Sequence, residues 1–233
     1  ATVLKYEPNE FARIWREKLI EHKWDIETSL LFGSQGSVSS VNYTQGAVDF
    51  IVNYGNIFDG SQMGSTGTKS QDDFLDDLSN FVDPRYNNAN ATLFMVSTDV
   101  YNWLHKLSGY FSANVSQVAD SSGGSSTALG RASFAVGGKK SIYGVDITQI
   151  YTPYGVMNVA RNVHLDGTTI KMLACNMRNC KYRPLVGNGL NRDTAVYVGV
   201  QTLENSGVDR RVDLIQTEAG MEWQMPESHA VWK

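Results

Sequence analysis

The chain has 233 residues and 42% of them are apolar, so it can bury the core of one compact domain or of two closely joined domains. Its net charge of -4 creates no global basic field, which argues against tight sequence-specific binding of nucleic acid but allows weak contact with a phosphate backbone. Charged residues make up only 19% of the chain and aromatic residues 11%, a balance that indicates extensive coverage of the surface by subunit contacts.

Targeting and redox signals are sparse in this sequence. It has no apolar run near the roughly 18 residues of a membrane span, and its N-terminus lacks the basic-then-apolar pattern of a signal peptide. Its two cysteines, Cys175 and Cys180, are too few for a disulfide framework and suit a reducing compartment. We therefore expect a soluble protein that is assembled in a cytoplasm.

A long helix is predicted at the start of the chain. Pro8 and Asn9 suit its first turn, and apolar residues recur at near-helical spacing as far as Gly33. About 23 residues would make a rod of roughly 35 Å. Ile20 and Trp24 fall partly off the main apolar stripe, so we expect this helix to pack on its own domain and also on a neighbour.

Three stretches are predicted to be loops. Residues 33–46 and 60–70 are rich in Gly, Ser and Thr, and they flank an apolar segment, 47–58, that we interpret as extended. Residues 112–130 are rich in Ser and Gly and poor in large apolar side chains, so this stretch should be an exposed loop.

A helix, a strand and a second helix are predicted between these loops. Ser70 and Asp73 resemble a capping box at the start of the first helix. Residues 91–96 are predicted to form a buried strand. Ser97 can cap the second helix, which Gly109 would end with a left-handed C-terminal cap.

Residues 141–185 have the pattern of three or four strands separated by turns, and we expect the rest of the chain to pack around this sheet. The pair Asp166-Gly167 can take the positive φ of a two-residue hairpin loop, so it should join two neighbouring strands. Pro184 cannot donate to a strand ladder and should mark the exit from the sheet. Residues 194–203 and 212–223 are predicted to be two further strands.

The sequence contains no recognisable group of catalytic residues. The run from Gly64 to Ser70 resembles a phosphate-binding loop, but Thr68 separates the glycine from Lys69, so the amides and the lysine would not converge on a phosphate. An ordinary glycine-rich connector is favoured. The four aspartates within residues 72–77 are interpreted as a solvated acidic face near a helix N-terminus rather than as a cation site.

Metal binding and hydrolysis are also disfavoured. Cys175, Cys180 and His164 offer three ligands, but their spacing matches no recognised zinc pattern, so buried structural cysteines are favoured. The four histidines are scattered and have no nucleophile elbow nearby. We therefore predict no catalytic residue, no metal site and no cofactor. The five tryptophans, among them Trp15 and Trp24, are interpreted as core or interface anchors.

The order of the predicted elements and a closing motif resemble one known family. The elements run from the long helix through a Gly/Ser loop, a short acidic helix, the strand ATLFMV and the helix STDVYNWLHKLSG to the segment VDITQIYTPYGVMNV. Glu218–Gln224 and Pro226–Val231 match a motif in which a Glu-containing strand precedes a Pro/Asn-x-x-His-Ala turn. The chain therefore resembles the major capsid proteins of tailed bacteriophages, which have the Hong Kong 97-type (HK97-like) fold of the α+β class.

This resemblance implies a peripheral domain built on a spine helix, and an axial domain whose loops meet around five- and six-fold axes. On this basis residues 1–33 would hold the spine helix, 34–165 the axial domain and 166–225 the return into the peripheral domain. Residues 226–233 would be a C-terminal return strand.

The resemblance also implies partners and a location. Copies of the chain would form hexamers and pentamers that close an icosahedral shell around double-stranded DNA, which the subunit would contact non-specifically. Assembly would take place in the host cytoplasm and the final location would be the virion. Portal, scaffold and decoration (cement) proteins would be further partners, and no membrane contact is expected. Trp15, Ile20 and Trp24 are the candidates for contacts between subunits.

The family normally places an N-terminal arm and an extended hairpin before the spine helix, whereas only eight residues precede the predicted helix here. We expect the particle to contain a longer polypeptide that includes this arm. Two alternatives remain open. One is an encapsulin-like cellular compartment, which would enclose a cargo protein, and the other is a nucleotide-dependent enzyme built on residues 47–82.

Overall fold

The computed structural model describes residues 10–39, 41–83, 85, 92–117, 135–142, 145–187, 189–201, 204, 207–208 and 212–233. Pro8, Asn9 and residues 118–130 of the predicted loop lie outside these ranges. The protein mixes helix and sheet, as the predicted α+β class requires. It divides into two compact units, which are Ala1–Asp49 with Lys181–Glu222 and Phe50–Cys180 with Trp223–Lys233. We call them the first and the second unit.

The long helix predicted at the start of the chain is confirmed as α1, Glu10–Phe32. Its C-terminal end meets the backbone near residue 46, where the Gly46 N–H donates to the Gly33 carbonyl at 2.7 Å. A Cβ on Gly46 would lie within 2.9 Å of backbone atoms of Leu31 and Gly33, so this close approach requires glycine.

The connector predicted over residues 33–46 is in part a β-hairpin. Its strands are β1 (Gly36–Val38) and β2 (Val41–Tyr43), which pair antiparallel with Val38 opposite Val41. The loop prediction was therefore wrong for these two strands. A Gly/Ser-rich composition hid them, because three residues are too few to show an alternating pattern.

Three further two-stranded sheets follow later in the chain. They pair β9 (Cys180–Pro184) with β14 (Ala219–Trp223), β10 (Val186–Gly187) with β11 (Leu190–Asn191), and β12 (Ala195–Gln201) with β13 (Val212–Gln216). Pro184 ends β9, but this strand pairs with β14 and not with the strands of residues 141–176, so the exit from that sheet predicted at Pro184 was wrong. The single strand predicted over residues 212–223 is divided into β13 and β14, because Glu218 turns its N–H to the Arg192 carbonyl instead of continuing the ladder.

A seven-stranded mixed sheet forms the second unit. Its strands are β3 (Asn56–Phe58), β4 (Thr92–Val96), β5 (Ala135–Ile142), β6 (Val145–Thr152), β7 (Gly155–Arg161), β8 (Met172–Asn176) and β15 (Ala230–Trp232). Their order across the sheet is β3-β15-β8-β4-β7-β6-β5. Residues 141–185 thus supply part of the central sheet, as predicted, and their turn at Pro153-Tyr154 joins β6 to β7.

The hairpin predicted at Asp166-Gly167 was wrong. Gly167 does have a positive φ of 77°, but β4 lies between β7 and β8, parallel to β7 and antiparallel to β8. Phe94 and Val96 of β4 are fully buried, and a strand this apolar requires a neighbour on each side. Asp166 instead accepts hydrogen bonds from the Thr98 N–H and Oγ1, both at 2.7 Å. Thr98 is the first residue of the helix Thr98–Gln117.

Helices were predicted where α1 and two later helices lie, whereas a further helix was not predicted and one of the later helices extends further than predicted. The segment predicted as extended contains the helix α2 (Ala47–Tyr54), because Ala47 and Ile51, four residues apart, are both buried. Helix α3 (Gln71–Phe81) has the predicted capping box, and Ser97 precedes helix α4 (Thr98–Gln117). Helix α4 continues through Gly109 as far as Gln117, because an interior glycine costs only about 1 kcal/mol. The loop prediction was therefore wrong for residues 112–117.

The core of the second unit lies between the sheet and helices α3 and α4. Trp232, in the last strand, is fully buried, and its ring contacts Phe58, Phe74 and Phe81 with centroid distances of 4.9 to 6.5 Å. Its Nε1 donates to Asp77 of α3 at 2.9 Å. The closing strand therefore ties the sheet to a helix.

Candidate functional site

One face of helix α1 is half-buried against the rest of the chain. The half-buried side chains recur every three or four residues, and they are Trp15, Leu19, His22, Ile26 and Leu30. His22 fixes the helix within the first unit through a hydrogen bond of 2.8 Å between its Nε2 and Thr217 Oγ1. This stripe is the face with which α1 folds.

A second apolar ridge of α1 faces solvent. Ile20 and Trp24, one turn apart, are each 52% exposed. Trp15 lies nine residues from Trp24, which places it about 180° around the helix at roughly 100° per residue. The structure therefore brings Ile20 and Trp24 together and assigns Trp15 to the opposite, half-buried face.

The charged side chains at the start of α1 pair with one another. Arg13 bridges Glu10 and Glu17, and these carboxylates raise the pKa of its guanidinium; Lys18 Nζ lies 2.6 Å from Glu21 Oε2. Exposed pairs of this kind add little to stability, because solvent screens them. Their effect here is to neutralise charges on the helix that carries the Ile20 and Trp24 ridge.

The first unit exposes many other apolar side chains. Those on the two ribbons β1–β2 and β12–β13 include Val38, Val41, Tyr43, Val196, Val198 and Val200, each between 45% and 65% exposed. By contrast, Leu31 and Ala47 are the apolar residues of this unit that are buried, within the ranges the structure describes. Two-stranded ribbons without a covered face are marginal in water. The first unit therefore has more apolar surface than its own core can use.

Polar contacts around Glu218 organise the strands of the first unit. Arg192 Nη1 and Gln216 Nε2 donate to its Oε1 at 2.6 and 2.7 Å, and the Leu185 N–H donates to its carbonyl at 2.9 Å. Arg183 and Glu222 pair across β9 and β14. The sequence motif that includes Glu218 thus has a structural role, which its position in a strand pattern alone did not reveal.

The glycine-rich connector before α3 holds its lysine in a structural contact. Lys69 is 8% exposed at its side chain, and its Nζ lies 2.5 Å from Asp77 Oδ2 and 2.7 Å from the Asp59 carbonyl. Asp73 serves the capping box, and hydrogen bonds from Ser70 lower the pKa of its carboxyl. Lys69 and two of the four aspartates are thus engaged within the fold.

The residues considered as metal ligands lie in different elements. Cys175 is buried in β8 and Cys180 in β9; burial raises the pKa of Cys175 well above its usual range and that of Cys180 to about 11. His164 lies in a 3₁₀ turn, Val163–Leu165, where its N–H donates to Asn162 Oδ1. In the part of the chain that the structure describes, no three His, Cys, Asp or Glu side chains are grouped as a metal site would need.

None of the helices within the described ranges has the length and apolar character that a membrane crossing needs. A family model described as SU10 major capsid protein matches residues 1–233. No curated protein matches the chain.

Proposed function

Because the chain belongs to the SU10 major capsid protein family, we propose that it builds an icosahedral shell of hexamers and pentamers around the double-stranded DNA of a tailed phage. Its family makes it a structural protein of a phage capsid, so its partners include copies of itself and its place is the virion. The geometry of the shell and its contents belong to the proposal.

The observation that supports assembly most strongly is the surplus of exposed apolar surface in the first unit. Val198 is 65% exposed in β12, and the Ile20 and Trp24 ridge of α1 is half-exposed. Specific interfaces bury roughly 800 Å² on each partner, with aromatic and aliphatic anchors at their centres. Because the chain belongs to a capsid protein family, other copies of the chain are the partners that we propose for this surface. Ile20 and Trp24 are proposed as contact residues, and Trp15 as a residue that positions the helix beneath them.

We further propose the Hong Kong 97-type fold for this subunit. Under this proposal α1 is the spine helix of a peripheral domain that corresponds to the first unit, and the second unit corresponds to the axial domain. The chain path supports this reading, because residues 50–180 form one excursion between the two parts of the first unit. The predicted domain boundaries, 1–33, 34–165, 166–225 and 226–233, are a separate proposal, which differs from the two units in where it assigns residues 34–49 and 166–180.

The proposed role requires no catalytic residue, cofactor or metal. Portal, scaffold and decoration proteins are proposed as further partners, with assembly in the host cytoplasm. Contact with the packaged DNA would be non-specific, because a chain with a net charge of -4 offers no broad basic surface. Lys69, the lysine of the phosphate-loop alternative, is engaged with Asp77 and Asp59, which argues against a nucleotide-dependent enzyme.

Electron microscopy of the purified chain, combined with absorbance at the nucleic-acid band, tests the proposal. For protein purified from infected cells, we expect closed icosahedral particles with a high nucleic-acid absorbance. A particle filled with a protein cargo would instead indicate an encapsulin-like compartment. A small oligomer with no tendency to form shells would contradict the assembly proposal.

A further inference from the structure

The turn that precedes the last strand docks on the turn that follows β8. In this pair of turns the Gln224 N–H donates to the Asn179 carbonyl at 2.9 Å, and Asn179 Nδ2 donates to Ser228 Oγ at 2.9 Å. Ser228 Oγ donates in turn to the Met225 carbonyl at 2.7 Å. Met225 itself has the left-handed φ of 50°, a strained conformation for a side chain of this size. The two turns are thus held by a specific polar network.

His229 completes this network from a fully buried position. The Asn176 N–H donates to its Nδ1 at 3.3 Å, and its Nε2 lies 3.1 Å from the Gln224 carbonyl. An acceptor at Nδ1 and a donor at Nε2 are available together only in the neutral ring that carries its hydrogen on Nε2. The rings of Phe50 and Trp223 meet the imidazole edge-on, at centroid distances of 6.2 and 5.5 Å.

We propose that the neutral ring of His229 holds strand β15 in the sheet and that protonation of the ring in acid releases this strand. We call His229 in this role the lock. Protonation would place an N–H on Nδ1 directly opposite the Asn176 N–H, which removes one hydrogen bond and leaves a buried positive charge that only the Gln224 carbonyl stabilises. Strand β15 begins at the next residue and lies between β3 and β8. Because β3 joins the sheet through β15, release of the lock would loosen this whole edge of the second unit.

The charged groups around the ring do not counteract this effect. Those on the elements next to it are Asp49 of α2, Arg178 of the turn after β8, Glu222 of β14 and Glu227 of the closing turn. None of them is a cause of the shift in the ring's pKa, which burial lowers against a smaller opposing contribution from the Gln224 carbonyl. The neighbouring thiols of Cys175 and Cys180 stay neutral in acid, because burial raises their pKa values.

The direction of the pH dependence follows from this lowered pKa. The folded chain binds fewer protons than the unfolded chain between the lowered pKa of the ring and the ordinary histidine pKa of about 6.5. The lock is therefore fully effective above about pH 6.5 and is lost as the pH falls towards the folded pKa. For one proton the opening equilibrium changes by about tenfold per pH unit in this window.

Hydrogen exchange measured by mass spectrometry on the full chain tests the lock. Exchange at the imidazole C2 carbon reports the titration of His229, and amide exchange, corrected for intrinsic rates, reports the opening of β15. Between pH 7.5 and 4.5 the protection of residues 230–232 should fall by about tenfold per pH unit below 6.5, while that of β6 and β7 stays constant. The protection of residues 230–232 should stop falling at the pH that equals the pKa of His229 obtained from the C2 exchange.

His229→Asn is the matched variant, because its side-chain oxygen can still accept near the Nδ1 position and cannot be protonated in this range. It should remove the pH dependence of β15 protection, whereas the control variant His164→Asn should retain it. A pH-independent protection of β15 in the parent chain would overturn the proposal, as would an unchanged pH dependence in a folded His229→Asn chain. If that variant does not fold, a mismatch in the parent between the His229 pKa and the point where the fall stops also overturns it.

Discussion

Replacement of Trp24 by Asp should block shell assembly and leave the subunit folded. Trp24 is 52% exposed and lies on the face of α1 opposite the half-buried stripe, so the isolated subunit does not depend on it for its core. Surface substitutions of this kind usually change the free energy of unfolding by no more than about 0.5 kcal/mol. The like charges of Glu21 and Glu27, three residues away on either side, would add a few tenths of a kcal/mol.

The effect on assembly should be much larger than the effect on folding. A tryptophan side chain buries up to about 250 Å² in a complete contact, so about half of that area remains for a neighbouring subunit to cover. At 25 cal/mol per Å² this area contributes about 3 kcal/mol to each contact, or roughly a hundredfold in the association constant. An unpaired aspartate in the same interface adds a desolvation cost of several kcal/mol.

Sedimentation velocity and electron microscopy on the purified variants would measure this effect. Trp24→Gln tests the loss of apolar area without a charge, and it should raise the critical concentration for assembly by about a hundredfold. Ser29→Asp is the matched control, because it adds the same charge to an exposed position about 140° around the same helix. Assembly of Trp24→Asp at the parent's critical concentration would show that this ridge faces solvent in the shell.

Three stability predictions concern the second unit, each measured as the free energy of unfolding in denaturant. Ser70→Ala removes the capping box of α3 and should cost about 1 kcal/mol, whereas Ser79→Ala on the exposed part of the same helix should cost less than half of that. Asp77→Asn leaves the nearly buried ammonium of Lys69 without its carboxylate and should cost about 3 kcal/mol; a change below 1 kcal/mol would mean that water solvates this lysine. Gly64→Ala should cost at least about 2 kcal/mol, because φ is 111° there and the new Cβ would overlap a carboxylate of α4; an unchanged midpoint would show that this loop relaxes freely.

Short sequence patterns correctly predicted those features of the fold that depend on residues close together in the chain. The capping box at Ser70 and the length of α1 each depend on a few neighbouring residues. The same patterns failed for α2, where a short apolar run has no periodicity that separates a strand from a helix. They also failed at Gly109, where the cost of one glycine is small compared with the packing of a 20-residue helix.

Strand order could not be predicted in the same way, because it depends on contacts between distant parts of the chain. The Asp166-Gly167 pair has the local geometry of a turn, yet β4 enters between the strands on either side of it. The position of Trp232 is another example. Nothing in the short segment Ala230–Trp232 indicates that it lies between β3 and β8, with its indole against Asp77.

The structure places the three residues predicted to contact a neighbouring subunit on two faces of α1, and the contacts themselves stay a prediction. The sequence identified Ile20 and Trp24 through their position off the main stripe, and the structure gives them a common exposed face. Trp15 is also a large aromatic residue of α1, but it lies on the half-buried face, which it shares with Leu19 and His22. Residue type alone does not distinguish an anchor of the core from an anchor of an interface.

Two exposed segments of the first unit lack charged residues, in keeping with the low charged fraction of the chain. Residues 33–46 and 194–203 contain no Asp, Glu, Lys or Arg, and they form the hairpin β1–β2 and strand β12. Exposed strand edges normally carry charged residues or proline, which prevent pairing with other chains. An uncharged strand that stayed in solvent would be a site of uncontrolled association, whereas a strand covered by a neighbouring copy needs no such protection. The segments without charges are therefore further candidates for the contacts between copies that we propose.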